Sequence, residues 1–252
     1  MTRRHPWADG PWPLIETPSK TKDVTKHPAI YIANEMAFAH NSMLRGLNSI
    51  YLQAAQITKR QDICDFLFFI ASWASWVSHH HTLEEEKMFP GYERVIGIHN
   101  FLGDNVGQHQ TFEPALQQLL QYGRYTVPER YDASVVRGLI EELAPPFREH
   151  LSHEIDSLLS MEPYEYDGEA LLGVFRECEA EAGKQDKHVI PPMVLGLRDV
   201  TFEGGNKWPC LPPLAEWLVF YVLARKHSGA WRFLPCCTWG KPRRLPFAKA
   251  GG

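Results

Sequence analysis

The sequence predicts an all-α protein: an up-down-up-down four-helix bundle with a partly helical C-terminal extension. Two observations lead to this prediction. Apolar residues recur at steps of three and four from about residue 28 to residue 161, and strand-like alternation is scarce throughout. The connections between the four periodic segments are short, which favours antiparallel neighbours in a bundle.

Residues typical of helix ends bound the four predicted helices. The first begins near Pro28, because proline fits the first turn of a helix, and extends to about Ile57. Asp62 is expected to cap the N-terminus of the second helix, which continues to residues 90–97.

Glycine and proline mark the limits of the other two helices. Gly123 is placed to end the third helix. The fourth starts after Pro128 and ends near Met161. Pro145 and Pro146 fall inside it and are expected to kink it.

Beyond the fourth helix the apolar periodicity weakens. Two short helices are expected there, within 167–187 and 214–225, and the remainder is irregular and aromatic. We therefore predict three parts: an N-terminal arm at residues 1–26, a four-helix bundle at residues 27–162, and a C-terminal extension at residues 163–252 that packs on the bundle.

Composition argues against several classes of function. The 252 residues carry a formal net charge of −4, which indicates neither a nucleic-acid partner nor an anionic membrane. No apolar run reaches the roughly 18 residues of a membrane span, and the N-terminus has no apolar signal segment. The five scattered cysteines indicate reduced thiols and a cytoplasmic location. A small-molecule substrate is possible, and the oligomeric state stays open.

Ionisable residues interrupt the apolar stripe of each predicted helix. Steps of three and four residues keep them on the helix face that should be buried. Burying unpaired carboxylates and imidazoles is costly, whereas a bound metal ion turns them into ligands. The residues are His40 in the first helix, His80 and Glu84 in the second, His109 and Glu113 in the third, and His150 and Glu154 in the fourth.

The spacing along the chain places these groups at one level of the bundle. In an antiparallel hairpin, residues at equal depth are symmetric about the turn, and the midpoints between successive groups fall at Gln61, beside Gly97 and just past Pro128. A lone His-x-x-x-Glu pair is common on solvated helices, and a lone buried histidine is often hydrogen-bonded in a core. Matched groups on four helices favour a metal site.

The second helix allows two registers. His81 and Glu85 have the same spacing as His80 and Glu84, and we prefer the latter pair because it continues the apolar stripe. His81, Glu85 and His153 are then expected outside the ligand set, supporting the ligands or lying at the surface.

Five segments around these positions form a recognisable combination. They are residues 35–48 (EMAFAHNSMLRGLN), 79–90 (HHHTLEEEKMFP), 108–112 (QHQTF), 150–155 (HLSHEI) and, in the extension, 231–236 (WRFLPC). Together they resemble the hemerythrin, or HHE cation-binding, family, especially its longer fungal members. The resemblance covers nearly all of the chain beyond the first twenty-odd residues.

The resemblance implies a four-helix bundle around two non-haem iron ions with an oxo or hydroxo bridge, and dioxygen as ligand or co-substrate. It implies imidazole ligands at His40, His80, His109 and His150, with bridging carboxylates at Glu84 and Glu154. One position departs from the family pattern. Related third helices usually carry a second histidine four residues after the first, and this chain has Glu113.

Glu113 decides how we interpret the function at this point. A carboxylate-rich site favours oxygen activation, whereas a histidine-rich site favours reversible oxygen binding. We therefore expect a di-iron oxidase or oxygenase acting on a small organic substrate, and a large cavity beside the metal would support this. The alternatives are a non-catalytic oxygen- or iron-binding or sensing protein, and a zinc site or purely structural polar network.

Overall fold

The helices of the bundle begin and end close to the predicted positions. The structure is a computed structural model that describes residues 7–248. Its α-helices are α1 (Pro28–Ala54), α2 (Arg60–Leu83), α3 (Phe89–Ile96), α4 (Gly103–Tyr125), α5 (Ala133–Leu159), α6 (Gly168–Ala182), α7 (Ile190–Leu197) and α8 (Pro213–Tyr221). The predicted all-α fold is confirmed.

Four of the helices form the bundle, and one of its four sides is open. Helix α4 packs extensively against both α5 and α2, and α1 packs against α5. In contrast, α1 and α2 pack against each other over only a small area. Helices α6 and α7 contact both α1 and α2 on this side. The extension therefore covers the seam that the bundle leaves open.

The second predicted helix is interrupted. A π-helical turn, Glu84–Met88, separates α2 from α3, and Gly97 caps the C-terminus of α3 with a positive φ of 74° that suits glycine. The predicted cap at Asp62 is wrong, because Lys59 occupies the N-cap position. Asp62 instead accepts a hydrogen bond from Arg232 of the extension at 2.8 Å.

Two glycines permit close contacts between helices. The Trp73 ring lies where a Cβ at Gly46 would be, 2.2 Å away, and its Nε1 donates to the Met43 carbonyl at 3.1 Å. A Cβ at Gly123 would lie 2.7 Å from the backbone nitrogen of Ala71. Because α4 extends to Tyr125, Gly123 lies inside it, and the prediction that Gly123 ends the helix is wrong.

One α-helix of the described extension, α7, lies outside the ranges predicted from the sequence. Pro191 and Pro192 lie in the first turn of α7, where proline is well tolerated. Asp167 caps α6 by accepting from the backbone nitrogens of Glu169 and Ala170. The division at residues 162 and 163 stays a prediction, and residues 1–6 and 249–252 of the two predicted end segments lie outside the described residues.

The N-terminal arm is bound along α1 by side-chain amides. Asn41 accepts from the Ile15 backbone nitrogen and donates to the Ile15 carbonyl, both at 2.8 Å. Asn48 donates to the Ala8 carbonyl at 2.8 Å. Over residues 7–248, none of the helices has the length and apolar character to cross a membrane.

Candidate metal centre

The interior of the bundle brings together histidine and glutamate side chains from several helices. Most are completely buried, and His80 is the most accessible, with 17% of its side chain exposed. They are His40 of α1, His80 and His81 of α2, Glu84 at the start of the π-helical turn, His109 of α4, and His150 and Glu154 of α5.

These side chains form two groups that share one carboxylate. The first group joins His81, Glu84, His109 and His150, each offering one donor atom, and these atoms lie within 4.8 Å of one another. The second group joins His40, His80 and Glu84 within the same limit. Two metal positions with Glu84 between them would use every residue of the two groups, and Glu154 belongs to neither group by this limit.

The two carboxylates are placed to link the groups. Glu84 Oε1 lies 2.6 Å from His80 Nε2, while its Oε2 lies 3.5 Å from His109 Nε2. Glu154 Oε2 lies 3.5 Å from both His40 Nε2 and His150 Nε2. Each carboxylate therefore contacts one imidazole of each group.

Hydrogen bonds at Nδ1 orient three of the imidazoles. A ring that donates from Nδ1 keeps a lone pair at Nε2, the arrangement that metal-binding histidines commonly show. The bonds run from His40 to the Leu151 carbonyl at 2.8 Å, from His109 to Glu85 Oε1 at 2.6 Å, and from His150 to Gln108 Oε1 at 3.2 Å. In all three rings, Nε2 is thus free to bind a cation.

Two of these nitrogens directly face each other. His109 Nε2 and His150 Nε2 are 3.1 Å apart, and neither carries a proton when its Nδ1 is the donor. Two facing lone pairs repel unless a cation lies beside both. Nitrogens bound to one ion at about 2.1 Å and at roughly right or tetrahedral angles are about 3.0–3.4 Å apart. The observed separation fits two ligands of one ion.

The remaining donor atoms lack other partners. His40 Nε2, both ring nitrogens of His81 and all four oxygens of Glu84 and Glu154 are buried and make no hydrogen bond within the described residues. Leaving such groups unsatisfied costs about 1–3 kcal/mol each. Imidazole and carboxylate are ligands that iron and zinc accept. The residues present therefore fit a bound metal.

Burial alone would push these groups towards their neutral forms. It lowers the pKa of the His40, His81 and His150 imidazoles well below the ordinary value and raises the pKa of the Glu84 and Glu154 carboxyls well above it. A metal cation reverses the tendency of the carboxyls, since it favours the ionised form. Neutral imidazoles are already the form that binds metal.

The adjacent residues His80 and His81 belong to different groups because they point in different directions from α2. Successive residues of a helix point about 100° apart, so His80 faces α1 while His81 faces α4 and α5. Glu84 follows His80 by four residues and His81 by three, and so lies one turn further on between them. The π-helical turn starts at Glu84, and such turns often mark functional sites.

Two expectations about individual residues are therefore corrected. The prediction that Glu113 faces the interior is wrong: its side chain is exposed and lines a small surface cleft beside His109. His81, expected outside the ligand set, is buried in the first group. Glu85 hydrogen-bonds to His109 from a position 41% exposed, and His153 lies exposed on α5.

A signal for His81 is present in the sequence. A single stripe of three- and four-residue steps admits one of two neighbouring histidines, so the search for one continuous stripe excluded it. The pattern His-His-x-x-Glu instead gives two histidines that share one glutamate a turn away. That pattern suits a centre with two metal positions.

An apolar shell encloses the centre. The Phe112 ring lies 5.2 Å from the ring of His150, and Phe147 lies 5.9 Å from His81. Tyr92 is buried, its hydroxyl has no hydrogen-bond partner in the described residues, and burial raises its pKa well above the ordinary value. The two phenyl rings exclude water from the centre, and the Tyr92 hydroxyl is left without a hydrogen bond in the described residues.

A pocket of about 300 Å³ lies between the bundle and the extension. The bundle contributes Met36, Trp76 and His80 to its wall, and the extension contributes residues of α6, α7 and the loop that follows. Because His80 belongs to the second group, one edge of the candidate centre forms part of the pocket wall.

Comparisons with known proteins agree with this geometry. The model of the hemerythrin HHE cation binding domain matches residues 32–161, which include every candidate ligand. The chain is also 35% identical over 247 residues to the dimeric xanthone biosynthesis cluster protein R11 of Cryptosporiopsis sp. (strain 8999), covering 96% of this chain and 93% of that protein. No solved structure matches the chain. The chain therefore belongs to the hemerythrin HHE cation-binding domain family.

Proposed function

We propose that the chain binds two iron ions in this centre and acts as a non-haem di-iron oxidase or oxygenase on a small aromatic substrate, with dioxygen as co-substrate. The observation that carries the proposal is the pocket of about 300 Å³ that includes His80 in its wall. A protein that only carries a diatomic gas has no use for a cavity of this size beside its metal.

The ligands that we assign follow the two groups. His81, His109 and His150 would hold one ion and His40 and His80 the other, with Glu84 and Glu154 between them. Iron in this centre would supply the electron transfer to and from dioxygen.

With metal bound, the protein would provide ionised carboxylates, oriented imidazoles and a dry interior. The carboxylates of Glu84 and Glu154 would neutralise the charge of the ions, and the Nδ1 hydrogen bonds hold the imidazoles in place. Phe112 and Phe147 exclude water, which strengthens each electrostatic interaction inside. Burial, together with the charges of Cys178 and of both carboxylates, holds the pKa of Tyr92 well above its ordinary value, so its hydroxyl stays protonated.

Two observations support an aromatic substrate: the aromatic residues of the pocket wall and the name of the similar protein. The pocket wall includes Trp76, Phe175 and Trp208, which suit a flat aromatic molecule. The relative's name refers to the biosynthesis of a xanthone, which is a fused aromatic ring system. We carry this class of substrate over to the present chain as part of the proposal.

A second candidate function has an observation of its own. The candidate set contains five histidines and two carboxylates, Glu84 and Glu154, since Glu113 lies outside, and a histidine-rich set favours reversible oxygen binding. The argument for oxygen activation that rested on Glu113 is thereby lost. A non-catalytic oxygen- or iron-binding protein is therefore the alternative, and the pocket is what favours the enzyme.

The test combines metal analysis with oxygen consumption. The purified chain is expected to contain about two irons, to absorb in the near ultraviolet as ferric-oxo centres do, and to consume dioxygen when a hydroxylated aromatic compound and a reductant are added. Glu154→Gln should lose iron and oxygen consumption, and the matched control His153→Ala, on the same helix but exposed, should retain both.

The other outcomes are equally informative. Iron-loaded protein whose spectrum changes reversibly with oxygen, without substrate-dependent consumption, would support the binding protein. Zinc in place of iron would contradict both proposals. Protein without metal after growth with added iron would indicate a structural polar network.

A further inference from the structure

The pocket lies at the open seam of the bundle. Helices α1 and α2 approach each other least among neighbouring bundle helices, and the extension lies across them. Trp76 and His80 line the inner side, one turn apart on α2, while Phe175 and Trp208 come from the extension. A molecule in the pocket would contact the bundle and the extension together.

The outer wall is fixed by a buried arginine. Arg198 is 3% exposed, and it donates to the Trp208 carbonyl at 3.2 Å and to Glu216 at 2.8 Å. The Trp208 ring also stacks on Phe38 of α1, with the ring centroids 6.4 Å apart. These contacts hold the loop that closes the pocket, so its shape is set before a ligand arrives.

The volume sets the size of the ligand. An apolar cavity of about 150 Å³ accommodates one benzene ring. The pocket has about 300 Å³, which is enough for two fused rings but is at the lower end for ligand sites. Indole and phenyl faces on its walls favour a flat aromatic molecule over a branched aliphatic one.

The acidic groups of the pocket are two carboxyls, beside the imidazole of His80 and the amide of Gln185. Glu35 is half-buried in its wall and Glu179 lies exposed at its rim. Burial, followed by the charge of Glu179, raises the pKa of Glu35 to about 7, so near neutral pH its carboxyl can both donate and accept. Neither glutamate forms an ion pair with a lysine or arginine of the described residues. An anionic ligand would therefore be repelled, and a neutral hydroxyl can hydrogen-bond.

We propose that this pocket is the substrate site and that it binds a neutral, two-ring aromatic alcohol of the phenol class, with the hydroxyl group bonded to Glu35. The assignment rests on the proposed function for the reaction, but the binding itself needs no turnover. Ring and hydroxyl are both required: the ring fills the space between the indoles, and the hydroxyl hydrogen-bonds to the carboxyl.

The test is calorimetric titration of the purified, metal-loaded chain with three probes that share one ring system. The probes are 2-naphthol, the anion 2-naphthoate and the cation 2-naphthylmethylammonium. At about pH 6, where the carboxyl of Glu35 is mostly protonated, we expect 2-naphthol to bind at least ~10-fold more tightly than either charged probe, because a desolvated, unpaired charge costs more than a hydroxyl group. Tighter binding of either ion, or no binding of the naphthol, would overturn the proposal.

Variants locate the binding. Val194→Trp fills the pocket from α7 and should abolish the binding of 2-naphthol, while Val135→Trp, exposed on α5, should leave it unchanged. Glu35→Leu should weaken binding about 10-fold and Glu35→Gln about 3-fold or less, since the amide retains a donor and an acceptor. If Val194→Trp does not fold, the two Glu35 variants still decide, and equal affinities for both would refute the assigned contact.

The same variants separate this proposal from the proposed function. If Val194→Trp loses naphthol binding and the wild type consumes no oxygen, the pocket assignment stands and the enzymatic role is refuted. Substrate-dependent oxygen consumption that persists in a folded Val194→Trp variant would keep the enzyme and refute the pocket.

Discussion

Replacing His81 with alanine distinguishes the ligand set that the structure brings together from the one that the sequence predicts. His81 is buried and contributes to the first group, whereas Glu113 is exposed and contributes to neither. The continuous stripes of the sequence suggest the opposite assignment. His81→Ala should therefore remove one metal position, and Glu113→Ala should leave both in place.

The size of the effect follows from the four donors of the first group. Losing a residue that only orients a ligand costs about 10–100-fold in metal affinity, so losing a ligand should cost at least ~100-fold. At the same excess of free metal, a 100-fold loss lowers the free energy of unfolding by about 2.7 kcal/mol. For a chain of this length the midpoint of thermal unfolding should fall by about 5–10 °C.

The assay is thermal unfolding with and without ferrous iron under anaerobic conditions, together with iron per chain after dialysis. His81→Ala should lose one iron and the part of the stabilisation that this iron gives, while Glu113→Ala should change stability by less than about 0.5 kcal/mol. If His81→Ala retains two irons and Glu113→Ala retains one, the assignment of the first group is refuted.

Three further variants test the supporting structure. Glu85→Ala removes the acceptor at His109 Nδ1 and should weaken metal binding about 10–100-fold in a metal titration, with the fold unchanged by circular dichroism. Gly123→Ala places a methyl group against the Ala71 backbone and should lower the free energy of unfolding in urea by about 1–3 kcal/mol. Glu35→Gln should abolish the fall in stability that the wild type is expected to show in urea between pH 4.5 and pH 8.

The sign of that pH effect follows from the raised pKa of Glu35. Between the ordinary value of 4.5 and about 7, the folded chain holds a proton that the unfolded chain has released, so stability falls as pH rises. The wild type should therefore lose about 1–3 kcal/mol relative to Glu35→Gln from pH 4.5 to pH 8. A difference that does not vary with pH would contradict the shift.

Controls for the other two variants lie on the same elements. Glu86→Ala removes an exposed carboxylate next to Glu85 and should leave metal affinity unchanged. Gly107→Ala, on α4 with nothing within 4 Å of the added methyl group, should stabilise the chain by about 0.5–1 kcal/mol. A destabilised Gly107→Ala, or a neutral Gly123→Ala, would show that close packing does not explain Gly123.

Much of the bundle can be predicted from the sequence because the patterns that specify its helices lie within short segments of the chain. Apolar periodicity gave the four long helices, and the unusual cost of buried His and Glu marked the interior as a metal site. Six of the residues that line the interior were predicted from this argument: His40, His80, Glu84, His109, His150 and Glu154.

The errors have specific physical causes. One stripe per helix cannot describe a centre with two metal positions, so His81 was assigned to the outside and Glu113 to the inside. Glycine disfavours helices, which is why the sequence predicts a helix end at Gly123, but the close approach of α2 to α4 requires this glycine inside α4. The π-helical turn and the open seam depend on contacts between distant segments, which no local pattern contains.

Anomalous diffraction from crystals of the iron-loaded chain, measured at the iron absorption edge, tests the central claim most directly. We predict two peaks in the bundle interior, one among His81, His109 and His150 and the other beside His40 and His80, with Glu84 between them. A single peak, or a peak ligated by Glu113, would contradict the two-metal centre described above.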